Sequence, residues 1–127
     1  MISEAESAVG TIRQVVRGER PWTDLLPLGM EGGPQEKQCR FRPSFPGHTQ
    51  VSIYDIARGF LTCLGDVSKL REWAFVVEAV PAEFDVENHP AGEAVLDALW
   101  SASFGEPLGE DQLAVLKELG EEQSGQP

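Results

Sequence analysis

Residues 51–79, VSIYDIARGFLTCLGDVSKLREWAFVVEA, decide the fold, because they contain two helix-length hydrophobic patterns separated by a short Gly-Asp break. In the first pattern, Ser52 and Asp55 have the spacing of a capping box, and apolar residues then recur at helical intervals until Gly65. The second pattern, Val67–Ala79, is apolar on almost every side in its C-terminal half. A helix of that kind is normally buried, so we predict that it lies at the centre of a helical core.

The N-terminal region predicts one helix followed by a loop-rich insert. Ser3 and Glu6 have the spacing of a capping box, and apolar residues recur every three or four positions until Gly18. The insert, Leu28–Gly47, is rich in proline and glycine, which favour turns. Its segment Gln38–Arg42 alternates polar and apolar residues, which predicts a short strand, and a hairpin forms if Thr49–Val51 pairs back on it.

The C-terminal region predicts two more helices. Pro90 suits the first turn of a helix that ends near Ser103. Glu110 opens a last helix with an acidic first turn, and Gly120 is its expected end. The predicted fold class is therefore mainly α, a compact four- to five-helix bundle with room for one short β-hairpin in the insert.

Length and composition fit one small domain. With 127 residues, of which 41% are hydrophobic and 24% charged, the chain has ordinary globular values. We predict a single helical domain over 1–120 and a disordered tail over 121–127. No apolar run approaches the roughly 20 residues that span a bilayer, and the start of the chain lacks the basic region of a signal peptide. Two cysteines, Cys39 and Cys63, fit free thiols in a reducing compartment, so we expect a cytoplasmic protein.

The negative charge is concentrated at one end of the chain. Residues 1–75 contain equal numbers of acidic and basic residues, whereas residues 76–127 contain twelve acidic residues against Lys117 alone, which accounts for the net charge of −11. Such a surface repels nucleic acid and anionic membranes and attracts basic proteins. We therefore expect a basic protein partner, with a merely solubilising acidic surface as the alternative.

The sequence contains no recognised catalytic or cofactor motif. Phosphate-binding, dinucleotide-binding, nucleophile-elbow and zinc-protease patterns are all missing from it. Cys39, His48, Cys63 and His89 are separated by 9, 15 and 26 positions, which match no zinc pattern. Cys63 lies on an apolar helix face, which favours an inert buried thiol over a nucleophile. We predict no catalytic residue, no metal and no cofactor.

One acidic stretch supports a competing interpretation. Within Glu83–His89, an extended backbone would project three carboxylates and an imidazole to one side, from Glu83, Asp85, Glu87 and His89. Such groups hold hard cations or carry out acid/base chemistry, so a small metal-dependent enzyme is an alternative function. An acidic connection between two helices is the simpler interpretation.

The helix predicted over 90–103 carries the most informative pattern. Its expected core side consists of Val95, Leu96, Leu99 and Ala102. At 100° per residue, Glu93, Asp97 and Trp100 share a neighbouring face, which Phe104 continues. An aromatic ring bordered by carboxylates is typical of a hot spot for a basic partner, although Trp100 could instead pack against the last helix at the core boundary. The predicted partner-binding residues are Glu83, Asp85, Glu87, Glu93, Asp97, Trp100, Phe104, Glu110 and Asp111.

The chain resembles the small acidic immunity proteins that neutralise bacterial toxins, including the helical type that protects against colicin-like RNA-cleaving toxins. The resemblance is carried by the small size, the opening helix around Thr11–Glu19 (TIRQVVRGE) and the acidic C-terminal half. It implies a non-catalytic bacterial inhibitor that occludes the basic site of a toxin, with carboxylates from 83–97 and 106–111 in place of substrate phosphates. The alternative is an adaptor or regulatory subunit that binds another protein through an apolar surface around Trp22, Trp100 and Phe104.

Overall fold

The computed structural model describes residues 4–36, 38–43, 45, 49–86 and 89–124, with side chains described between residues 8 and 121. In this part of the chain the architecture is mainly helical, with five α-helices: α1 (Glu4–Val16), α2 (Ile53–Cys63), α3 (Val67–Ala79), α4 (Gly92–Ser103) and α5 (Glu110–Ser124). Two 3-10 helices occupy Trp22–Leu28 and Pro34–Glu36. The strands are β1 (Met30–Gly33), β2 (Gln38–Phe41), β3 (Gln50–Ser52) and β4 (Glu83–Asp85). None of the described helices is long and apolar enough to cross a membrane.

The capping box predicted at the start of α2 is confirmed. The Ser52 hydroxyl accepts from the Asp55 backbone N–H at 3.3 Å, and the Asp55 carboxylate accepts from the Ser52 N–H at 3.0 Å. Asp55 also binds Arg17, the first residue after α1, with 2.6 Å between Nε of Arg17 and Oδ1 of Asp55. The Asp55 carboxylate therefore caps the N-terminus of α2 and also links α2 to the C-terminal end of α1.

The prediction that α3 is central is also confirmed. The buried core has two parts, one formed mainly by α2, α3, α4 and α5, and one formed by α1, the first 3-10 helix and the insert. On α3, Trp73, Ala74 and Val77 belong to the first part, whereas Val76 belongs to the second. A helix that contributes to both parts must be apolar on more than one side, as its sequence is.

Helices α1, α2 and α3 meet at a single close junction. The Trp73 indole N–H donates to the Val16 carbonyl oxygen at 2.9 Å, and its ring packs edge-on against Phe60 with 4.8 Å between centroids. Gly59 lies beside both partners, because a Cβ there would clash with the Val16 carbonyl oxygen and with the Trp73 ring. Glycine at this position lets α1 and α3 approach α2 closely.

The insert does contain a hairpin, but its predicted pairing was wrong. The strand predicted over Gln38–Arg42 is present as β2, and it pairs antiparallel with β1, with Met30 opposite Phe41. The β1 partner is mostly Glu and Gly, so it lacks the apolar alternation that reveals a strand. β3, which includes Val51, pairs in parallel with β4 instead. Val51 is completely buried in this arrangement. The segment Glu83–Asp85, which was predicted to be an acidic connection between helices, is a strand.

The two C-terminal helices are present with shifted ends. α4 begins at Gly92, two residues beyond Pro90. α5 continues through Gly120 to Ser124, so the predicted helix end at Gly120 was wrong. Gly120 has a packing role, since a Cβ there would lie 2.7 Å from Cδ1 of Leu61 on α2. The predicted tail, 121–127, therefore begins inside α5, and residues 125–127 lie outside the described residues.

Candidate functional site

An apolar ridge stands exposed on α4. It consists of Leu96, Trp100 and Phe104, whose exposed fractions are 42%, 61% and 59%. They are spaced four residues apart, so they follow one face of the helix. The Trp100 and Phe104 rings pack edge to face, with 4.9 Å between centroids. Contiguous large apolar groups at a protein surface mark interaction sites, which makes this ridge the leading candidate.

The prediction that Leu96 lies on the core side of α4 was wrong. The residues of α4 that are buried include Val95, Ala98, Leu99 and Ala102. These side chains fall within a narrow arc, and Leu96 lies 100° from Val95, outside it. Trp100 likewise does not take the core-boundary position that was the alternative, because most of its surface is exposed.

Two grooves run along the sides of Trp100, between α3 and α4. The first groove has a volume of about 680 Å³ and is lined by Pro34, Gln35, Ser68, Arg71, Glu72, Phe75, Glu78, Trp100, Ser103 and Phe104. The second has a volume of about 490 Å³ and is lined by Val77, Glu78, Phe84, Leu96, Asp97, Leu99 and Trp100. Both are in the size range of sites that receive a side chain or a small ligand. Their walls are largely apolar, and their charged groups are mostly carboxylates.

Glu78 lines both grooves and was missed by the sequence analysis. Glu78 is exposed as a residue, yet partial burial of its carboxyl group raises the pKa of Glu78, and a hydrogen bond with the Ser103 side chain lowers it in part. Among the described residues, no lysine or arginine forms an ion pair with this carboxylate. The available signal was a single acidic residue inside an otherwise apolar helix end, FVVEA over 75–79, and the structure leaves this residue exposed.

The residues that were predicted to share one face of α4 do lie on one exposed face. Glu93, Asp97, Trp100 and Phe104 are all exposed, and Asp97 lines the second groove beside Trp100. The four residues therefore form one continuous surface with an apolar centre and acidic neighbours. Its role in binding stays a prediction.

The acidic residues of β4 do not join this surface. Phe84 lines the second groove, and side chains alternate along a strand, so Glu83 and Asp85 point away from the ridge. Asp85 instead lines a separate pocket on the other side of β4, together with Arg13, Arg17, Gln50, Val51, Ser52 and Asp55. The structure thus divides the predicted acidic set between two surfaces.

The remaining predicted residues lie elsewhere. Glu110 and Asp111 are exposed in the first turn of α5, outside both grooves. Glu87 lies outside the described residues, as does His48. The His89 ring packs against Tyr54, and its Nδ1 accepts from the Ala91 backbone N–H at 3.0 Å.

The described residues contain no group of three His, Cys, Asp or Glu side chains that could hold a metal ion. Because Glu87 belongs to the stretch proposed for metal binding, the alternative based on Glu83–His89 stays a prediction. Cys63 is buried and Cys39 half-buried, and burial raises the pKa of both thiols. A raised pKa keeps a thiol protonated and unreactive, in agreement with the expectation for Cys63.

No protein-family model, curated protein or solved structure is significantly similar to this chain.

Proposed function

We propose that this chain is a non-catalytic, protein-binding inhibitor of the immunity-protein kind, which docks its α4 face onto the basic site of a partner. The observation that carries the proposal is the edge-to-face pair of Trp100 and Phe104, more than half exposed on a small folded chain. Keeping two large rings in water forgoes the burial energy that would otherwise stabilise so small a domain. Tryptophan is also among the residue types that dominate binding energy at protein interfaces.

The charges around the ridge support a basic partner. The two grooves and the adjoining α4 surface carry four carboxylates, from Glu72, Glu78, Glu93 and Asp97. Arg71 is the one cation among the described residues that line these grooves. An acidic rim around an apolar centre accelerates encounter with a basic surface and repels acidic competitors. For a partner that binds nucleic acid, these carboxylates would occupy the places of substrate phosphates, as the immunity-protein resemblance implies.

The test is an affinity capture from lysate of the source cells with the full chain as bait, at low and at high salt. A double reversal, Glu93→Lys with Asp97→Lys, changes the charge at the ridge. The matched control, Glu118→Lys with Glu121→Lys, makes the same charge change at exposed positions of α5, outside both grooves. We expect a basic partner that the wild type and the control retain, that the ridge variant loses and that high salt weakens.

The inhibitor step is tested separately from capture. Expression of the captured partner alone should harm cells, and co-expression of this chain should protect them. A partner that binds the ridge variant as tightly as the wild type would refute the α4 face as the interface.

The adaptor function is the second candidate, and the exposure of Leu96 favours it. Leu96 extends the ridge to three apolar side chains, which suits a partner that binds through its own apolar surface. Trp22, also considered for such a surface, is half-buried over Gly33 and contributes little exposed area. In this case Leu96→Ser would weaken capture, whereas high salt would leave it unchanged.

A further inference from the structure

The position of Glu78 relative to Trp100 suggests a more specific chemistry than general attraction to a basic surface. Glu78 belongs to α3 and Trp100 to α4, and the two residues line both grooves together. A partly desolvated carboxylate and an exposed indole face are therefore presented to the same ligand. Among the described residues, this carboxylate has no cationic partner of its own.

The second groove is the more negative of the two. Its charged residues are Glu78 and Asp97, with no lysine or arginine in its described lining. The first groove contains Arg71, seven residues before Glu78 on α3 and thus about 10 Å away along the helix. The aliphatic part of Arg71 lies near Gly105, beyond the end of α4. A cation entering the second groove therefore meets two carboxylates and, among the described lining residues, no repelling charge.

An arginine side chain fits these groups better than a lysine does. The planar guanidinium can stack on an indole face while its N–H groups bind a carboxylate through two parallel hydrogen bonds. A lysine ammonium is a compact, strongly hydrated charge that gains less from a flat, partly apolar site. The apolar walls of the groove, Val77, Phe84 and Leu96, are suited to the aliphatic part of an arginine.

We propose that the second groove is a receptor site for one arginine side chain of the partner protein, with the guanidinium stacked on Trp100 and paired with Glu78. The proposal rests on the proposed function, in that it names the partner residue which anchors the α4 face. Asp97, at the rim, adds a second negative charge to the same site.

The experiment titrates the ¹⁵N-labelled full chain with three small probes at constant pH and ionic strength. They are N-acetylarginine amide, N-acetyllysine amide and N-acetylcitrulline amide, the last being a neutral analogue with nearly the shape of arginine. The readouts are the Trp100 indole N–H signal and the Leu96 backbone amide signal. We expect saturable shifts with the arginine probe, at least about tenfold weaker binding of the lysine probe, and no saturation with citrulline, because its urea group carries no charge.

Two matched variants locate the site. Glu78→Gln keeps the size of the side chain and removes its charge, so the arginine-dependent shifts should disappear. Glu118→Gln makes the same change at an exposed position of α5, outside both grooves, and it should bind the probe like the wild type. The amide spectrum of each variant without probe shows whether the fold is retained.

Equal shifts with arginine and citrulline, or normal arginine binding by Glu78→Gln, would overturn the proposal. Equal affinity for lysine would reduce the groove to a general cation site and overturn the arginine assignment. The titration uses no protein partner, so its failure is distinguishable from a failed capture. The α4 face can bind a partner without an arginine pocket, and the pocket can exist in a chain whose partner binds elsewhere.

Discussion

Two tryptophans on successive helices have opposite environments. Trp73 of α3 is 5% exposed, donates its indole N–H to the Val16 carbonyl and packs against Phe60. Trp100 of α4 is 61% exposed and has Phe104 as its ring partner. At the Trp73 junction the neighbouring charge is also paired, since Asp55 binds Arg17, whereas at the Trp100 grooves Glu78 has no ion pair among the described residues.

The difference indicates that the two regions have different roles in the protein. The junction of α1, α2 and α3 uses its aromatic ring, its N–H group and its carboxylate to stabilise the fold. The α3–α4 surface holds the same kinds of groups, yet it leaves its aromatic rings exposed and, among the described residues, its Glu78 carboxylate without an ion pair. Substitutions at the first region should therefore change stability, and equivalent substitutions at the second should change binding.

The largest expected contrast is between the two tryptophans themselves. Trp73→Ala removes a buried ring and leaves the Val16 carbonyl without its donor, which should lower the free energy of unfolding by about 3–5 kcal/mol. Trp100→Ala removes an exposed ring and one edge-to-face contact, and it should cost at most about 1 kcal/mol. Urea unfolding followed by circular dichroism measures both. Similar losses for the two variants would remove the distinction between the regions.

Gly59→Ala tests how tightly the junction is packed. The added Cβ would clash with the Val16 carbonyl and the Trp73 ring, so the free energy of unfolding should fall by about 2–3 kcal/mol despite the better helix propensity of alanine. Gly10→Ala is the matched control on α1, because a Cβ there has no neighbour within 4 Å. That variant should be stabilised by about 0.5–1 kcal/mol. Thermal unfolding of the pair gives the comparison, and a stable Gly59→Ala would contradict the close approach of the helices.

Asp55→Asn tests the paired carboxylate. The change weakens the bond to Arg17 and the return bond to the Ser52 N–H, both on a side chain that is 6% exposed, so stability should fall by about 1–3 kcal/mol. Asp66→Asn at the exposed cap of α3 should have almost no effect, since asparagine caps a helix as well as aspartate does. Denaturant midpoints compare the two, and equal midpoints would show that Asp55 contributes only as a cap.

Glu78→Gln should have the smallest effect on stability, and its sign should be the reverse of that for Asp55→Asn. Burial raises the pKa of Glu78 above its ordinary value of 4.5, so the folded chain favours the protonated form. The raised pKa stabilises the folded chain relative to the unfolded chain while Glu78 is protonated. This contribution is complete below pH 4.5 and is lost as the pH rises through the higher folded-state pKa. At pH 7 the glutamine variant should therefore be slightly more stable than the wild type, by less than about 0.5 kcal/mol because the side chain is solvent-screened. Thermal unfolding at pH 4 and pH 7 measures this, and an advantage that grows toward low pH would contradict it.

Local signals in the sequence were sufficient for much of the fold. Capping residues, apolar spacing and glycine breaks placed the helices to within a few residues, and the strand at Gln38–Phe41 was identified from its alternation. The parallel pairing of β3 with β4 could not be found in this way, because it joins segments more than 30 residues apart. Helical spacing also could not decide where the buried arc of α4 ends, and Leu96 was placed on the wrong side of that boundary.

The candidate site was predictable only where it follows a single helix. Glu93, Asp97, Trp100 and Phe104 share a face of α4, which the 100° spacing requires. Glu78 reaches the same surface from α3, and Phe84 reaches it from β4. These positions depend on how the elements pack together, which residue spacing within one helix does not report.

The parallel pairing of β3 with β4 has a consequence for the timing of folding. It aligns Val51 with Phe84, and the chain between these residues includes α2 and α3. Contacts of this separation incur the cost of closing a long loop, so they form after local helices. Phe84 is a wall of the second groove, and we therefore expect the groove to be completed among the last steps of folding. A partner that binds this groove would therefore bind the chain only after β3 and β4 have paired.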